Sequence, residues 1–324
     1  MMRLFTVELR RLLARRAIRL LTLGAVVLVG VLVGTTAWNS QPPTEDELEF
    51  ARQQVEMIEQ DMQREVEFCE ESPDDWGLSD ADECEEMILG WHPRVEDFAY
   101  TDIFSFADEI LLVLLPVGAM AFLLAYVIGA SFVGAEWTSG MMGTHLTWEP
   151  RRGRVLVTKT LAATVVVAVV TAVLLAITIS ALYWVAANWG TADRTTDELV
   201  TDVVLRALRI TGLAVAFAAF GTAVAGVLRS TVGALVAGGA YLAVGEGLIR
   251  AMWTGSDRWM LSHNTFAWLE NGYIARRWDC SQFGGECEEI VTNITLVGGA
   301  AVLGAVIVAA VVLHAVTFAR RDVV

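Results

Sequence analysis

Lysine is nearly missing from this chain: 22 of its 23 basic residues are arginine, and Lys159 stands alone. A P-loop needs a Gly-rich turn whose amides cradle phosphates together with a lysine. The nearest string, Gly153 to Thr160, has the lysine and a threonine but carries Thr158 where the second glycine belongs, and it leads into a helix of valines. The chain therefore carries no ATP-hydrolysing loop of this kind. Histidine is scarce too. His92, His145, His263 and His314 are scattered, no HExxH string occurs and no Ser, His and Asp set converges, so an intramembrane hydrolase is the weaker class. None of the four cysteines has CxxC spacing or a neighbouring histidine, which argues against a metal site. Only Pro116 among six prolines falls inside a long apolar run. Secondary carriers often show broken helices and inverted repeats; neither is visible, which leaves a secondary transporter, or another polytopic protein without an ATPase, as the alternative reading.

What is present is apolar length. The composition is 55% hydrophobic and the mean hydropathy is +0.52. Runs of about 20 apolar residues, enough to cross ~30 Å of hydrocarbon, fall at 17–37, 110–133, 156–187, 207–227, 232–252 and 292–318. The expected fold is an all-α membrane protein of six transmembrane helices. An even number of spans puts both termini on one side. That side holds 13 basic and 4 acidic residues and the other holds 10 and 34, so the formal charge of -15 is carried by one face. Arg10, Arg11, Arg15, Arg16 and Arg19 precede the first span, Arg151, Arg152 and Arg154 precede the third, and Arg320 and Arg321 follow the sixth. By the positive-inside rule these ends, and both termini, are cytoplasmic. The first apolar run is longer than a signal-peptide core and is read as a retained span.

Residues 38–109 form an acidic extracytoplasmic domain. Thr44 and Glu47 have capping-box spacing, and Leu48, Val55, Ile58, Met62 and Cys69 recur on one helical face. That face needs a cover, and the segment through Trp76, Met87, Ile88, Leu89 and Trp91 is expected to fold back on it. All four cysteines fall on the outer side. In an oxidising compartment, two local disulfides, Cys69 with Cys84 and Cys280 with Cys287, are the simplest of the three pairings. The domain reads either as a cap over the exit or as a passive charged cover. In the outer loop 253–291, Trp253, Trp259, Trp268 and Trp278 suit interfacial helices at the headgroups.

On the cytoplasmic side, residues 1–16 place Phe5, Leu9, Leu12 and Leu13 on one helical side with arginines around the rest, an amphipathic elbow helix along the headgroups. The loop 134–155 is polar and Gly-broken, then basic. Glu136, Gly140, Leu146, Pro150, Arg154 and Lys159 occupy the places that join the second and third spans in type 2 ABC exporter permeases, and with the elbow and six spans the chain resembles that family. Met141 stands where that family usually has threonine. The resemblance implies the permease subunit of a bacterial inner-membrane exporter, paired as a homodimer or with a sister permease. It would dock on two ATPase subunits that bind ATP and Mg2+, while this chain binds no cofactor of its own. It further implies that Glu136, Gly140, Pro150, Arg151, Arg152 and Arg154 couple to the ATPase; the arginines also suffice simply to fix orientation. Membrane lipids are the other expected partner. Nucleic acid is excluded by the acidic charge.

Polar residues within apolar runs are functional candidates by default. Glu246 and Arg250 on the fifth span and Arg206 and Arg209 on the fourth lie at similar depth. They read equally as the lining of an outer vestibule or as an interspan ion pair. Gly30 and Gly34 allow a close helix contact on the first span.

Overall fold

The computed structural model describes residues 2–72, 76, 82–90, 92–98, 103–279 and 287–320. Helix α1 (Met2–Ala14) breaks at Arg15, and α2 (Arg16–Asn39) follows. Next come α3 (Glu45–Glu71), α4 (Asp82–Leu89) and α5 (Val95–Phe98), then α6 (Phe106–Thr138), α7 (Met141–Trp148), α8 (Arg152–Trp189) and α9 (Asp197–Leu228). The chain closes with α10 (Thr231–Met252), α11 (Leu261–Leu269), the strands β1 (Tyr273–Asp279) and β2 (Glu288–Ile294), and α12 (Leu296–Arg320). Helices α2, α6, α8, α9, α10 and α12 are each long and apolar enough to cross a membrane, as the six apolar runs lead one to expect. At 1.5 Å per residue, the 33 residues of α6 and the 38 of α8 reach roughly 50 and 57 Å, well beyond ~30 Å of hydrocarbon. The overhang matters: Glu136 stands in the last turns of α6, and Arg152 opens α8.

Contacts divide the chain into two units, residues 1–32, 107–181 and 194–324 in one and 33–106 with 182–193 in the other. In the first unit α6 is central, with Ile110, Leu114, Ala125, Ile128 and Phe132 all buried. Its backbone meets that of α9. A Cβ on Gly129 would run into the carbonyl oxygen of Ala218, and one on Gly221 into that of Tyr126, so each helix supplies the glycine that admits the other. Tyr126 then ties α6 to α10 by donating its hydroxyl to the Ala234 carbonyl at 2.6 Å. Residues Tyr241–Ile249 of α10 are wound as a π-helix.

The loop expected to hold interfacial helices holds the helix α11 and, beside it, a hairpin that was not expected. After a 3-10 turn (Thr254–Trp259) and α11, an antiparallel hairpin pairs Tyr273 with Ile294 through Asp279 with Glu288. The residues alternate as a strand demands: Ala275 is buried, whereas Ile274 and Trp278 face outward. The β-branched residues from Ile290 to Ile294 belong to β2, so the sixth span starts at Leu296 and not at 292. Trp253, Trp259 and Trp278 are exposed, but Trp268 turns inward and donates Nε1 to the Arg209 carbonyl at 3.0 Å.

In the second unit Thr44 and Glu47 form the expected capping box at the start of α3. Ala51, Val55, Met62 and Cys69 are its buried row, and α4 and α5 pack on it. Cys69 and Cys84 are joined in a disulfide with both residues buried. Within the fold-back segment Trp76 and Met87 are 41 and 48% exposed and Ile88 is half-buried, while Trp91 and the Leu89 side chain lie outside what is described. The Cys280–Cys287 pairing falls on Cys280, which lies outside the described residues.

Candidate functional site

At the end of the first unit that carries the arginines, four chain segments meet around a lysine. Glu8 projects from α1, where it is wholly buried; Glu136 from α6 and Lys159 from α8 are 2% exposed. Lys159 Nζ lies 2.7 Å from Glu8 Oε2 and 2.5 Å from Glu136 Oε2. Arg15, at the break between α1 and α2, donates Nη2 to Glu136 Oε1 at 3.0 Å and Nη1 to the Ser131 carbonyl at 2.9 Å. The Phe132 ring packs against both cations, 5.0 Å from the Arg15 guanidinium and 5.1 Å from Lys159 Nζ. Burial holds the Arg15 guanidinium below its usual pKa, against the opposing pull of Glu136 and Glu8.

The knot extends into α7. His145 Nε2 is within reach of two partners, the Arg11 guanidinium, which donates to it, and Glu8 Oε1 at 3.2 Å. Burial, aided by the Lys159 charge, lowers the His145 pKa, with Glu8 pulling the other way. A neutral ring accepts from Arg11 in one tautomer and donates to Glu8 in the other. Helix α7 starts at Gly140, which has a φ of +71°, a left-handed conformation that costs glycine nothing. Thus α7 is set by a glycine turn at one end and pinned by His145 near the other.

Glu136 falls in the segment 134–155 expected to be a loop, but α6 runs on past the expected end of the second span at 133 and carries Glu136 into a buried ion network. Glu8 escaped notice altogether. It is the lone acid among the six basic residues of positions 1–19, and Lys159 is the lone lysine of the chain; those two singularities are the signal. The other coupling candidates are spread over the surface. Pro150 and Arg151 are exposed and Arg154 is half-buried. Arg152 donates to the Phe318 and Ala319 carbonyls at 3.2 and 3.3 Å, capping the end of α12. Trp148, 87% exposed at the end of α7, was not singled out.

The four charged residues read from the sequence as a possible vestibule lining are also held by named partners. Glu246 accepts from Tyr241 Oη at 2.8 Å, from the Ser262 amide at 2.9 Å and from Ser262 Oγ at 2.5 Å. It therefore caps the N-terminus of α11, which has no side-chain cap of its own. Arg209 donates to the Leu269 carbonyl and to Asn271 Oδ1, both at 3.3 Å, at the opposite end of α11. An anion at the start and a cation at the end both suit the helix dipole. Arg206 donates to the Leu111 carbonyl at 2.9 Å, and Arg250 lies 3.6 Å from Asp257.

A family model described as ABC-2 family transporter protein matches residues 2–252, which include α1 to α10 and every member of the buried knot. No curated protein and no solved structure matches the chain.

Proposed function

The chain belongs to the ABC-2 family of transporter proteins, and from that premise we propose that it is the permease subunit of an ATP-driven exporter in a bacterial inner membrane. As a member with six apolar spans it is a multi-pass membrane protein. In this reading two permease copies enclose the path, both termini are cytoplasmic, and two separate ATPase subunits bind ATP and Mg2+. The arginines at the ends of α1, α8 and α12 support the side assignment.

The observation that carries the reading is the fixation of α7. A permease driven from outside the bilayer needs a short rigid element joined to more than one span. Helix α7 lies directly between α6 and α8, and the salt links of Glu8, Glu136, Lys159 and Arg15 hold the bases of those helices together with α1. A push received on the exposed side of α7, at Met141 and Trp148, or on the link to α8, at Pro150 and Arg151, passes into both spans through the charged contacts. Glu136 acts here as a positioning residue beneath the docking face.

Affinity purification of the chain from its native membranes tests this. A soluble Walker-bearing subunit should co-purify, and Trp148→Asp with Arg151→Glu should release it while the permease stays folded. A chain that brings down no ATPase, or that transports in vesicles without ATP, overturns the reading.

A further inference from the structure

We propose that α3 is the docking surface for a basic amphipathic helix of an extracytoplasmic protein. The outward placement rests on the side assignment above; the binding itself does not. Phe50, Met57 and Phe68 are 61, 58 and 68% exposed. Single exposed apolar residues need no explanation. These three, however, are spaced by 7 and 11 residues, and at 100° per residue they fall within about 20° of one line along the helix. That line is well removed from the buried row of Ala51, Val55, Met62 and Cys69. The helix is also kept in place: its N-terminus is capped by Thr44, and its far end is tied at Cys69, next to Phe68, to α4.

Charge says what fits there. Helix α3 carries eleven carboxylates against two arginines; Asp46, Glu47, Glu65 and Glu71 flank the apolar line, while Asp61 lies on it between Met57 and Phe68 and is paired with Arg64 at its border, all exposed. A second copy of α3 would set acid against acid, and an anionic lipid surface would be repelled in the same way. A helix with an apolar stripe and lysines or arginines along its borders satisfies both features. From Phe50 to Phe68 the line runs about 27 Å at 1.5 Å per residue, so the partner needs five turns or more.

The test uses the full chain in phosphatidylcholine nanodiscs, with empty nanodiscs as reference. The probe is a synthetic peptide of about 21 residues, leucine at heptad a and d positions and lysine elsewhere, beside a scrambled peptide of the same composition. Saturable binding of the amphipathic peptide at one per chain is expected. It should weaken at least tenfold between about 0.05 and 0.5 M NaCl, because exposed charges are screened over a Debye length of ~10 Å at 0.1 M. It should also weaken at least tenfold in Phe50→Ser/Met57→Ser/Phe68→Ser, with the Cys69–Cys84 disulfide verified by intact mass. No binding above empty nanodiscs, equal binding of the scrambled peptide, or unchanged binding by the triple variant overturns the proposal. Quantitative disulfide dimers of Met57→Cys would assign the face to a second copy and overturn it as well. None of these readings depends on an ATPase, so failure here leaves the export assignment standing.

Discussion

Replacing Lys159 by methionine tests the buried knot at its centre. Methionine keeps most of the side-chain length and the contact with Phe132, so the change removes charge more than volume. What remains is two carboxylates in a site shielded from water. Glu136 retains Arg15 at 3.0 Å, but Glu8 keeps only Arg11 at 3.6 Å as a cationic partner. Removing one partner of a buried ion pair costs about 3–5 kcal/mol, because the other charge is left uncompensated. At an unfolding entropy of about 2.1 cal/mol/K per residue, a chain of 324 residues loses roughly 1.5 °C per kcal/mol, so the midpoint should fall by about 4–8 °C. The assay is fluorescence-detected thermal unfolding in detergent. Adding Glu8→Gln to Lys159→Met should recover most of the loss, since Glu136 and Arg15 then remain as a matched pair. A Lys159→Met protein that melts within about 2 °C of its parent, or a double variant no better than the single, refutes the ionic argument.

Loss of the Cys69–Cys84 link by serine replacement should open α3 and α4 to limited proteolysis. Closure of a loop of about 15 residues is worth ~3 kcal/mol in the chain-entropy model. His145 should make stability pH-dependent: its folded pKa lies below the unfolded value of about 6.5, so the unfolded chain takes up the proton first. Its stabilising contribution is therefore complete above that unfolded value and declines as pH falls below it, and His145→Asn should flatten this part of a melting-temperature profile between about pH 5 and 8. Glu246→Ala should cost about 1 kcal/mol as a lost N-cap, and hydrogen exchange at the Leu261 and Ser262 amides should accelerate while the amides of α6 stay protected. Gly140→Ala, at a φ of +71°, should cost about 1–2 kcal/mol; an unchanged melting curve would count against a left-handed turn there.

Local features were legible in the sequence. The six apolar runs, the capping box at Thr44 and Glu47, and the stripe ending at Cys69 are all periodicities or spacings within one segment, and the Cys69–Cys84 pair is close along the chain. The buried knot was not legible, because its partners stand far apart in sequence: Glu8 from Lys159 by 151 positions and Arg15 from Glu136 by 121. Glu136 could be found by its spacing to Pro150 and Arg154, but nothing local says whether a glutamate near a span end faces water or a lysine. The hairpin was hidden for a different reason. Thr292, Asn293 and Ile294 adjoin the apolar run of the last span without a break, and an apolar stretch alone does not distinguish the end of a strand from the start of a helix. Glu246 was noticed for its depth, yet the helix it caps comes back to it from 16 residues further on.

The contact of α6 with α9 has a mechanical consequence. Where Gly129 and Gly221 let two backbones touch, each carbonyl lies in a notch that the other helix provides. Such a pair cannot shear along its axis unless it first separates, so it behaves as one beam. Glu136 stands at one extremity of that beam and Arg209, on α9, toward the other. Under the proposed coupling, thrust arriving at the knot would be conveyed lengthwise to the helix whose C-terminal carbonyl Arg209 grips.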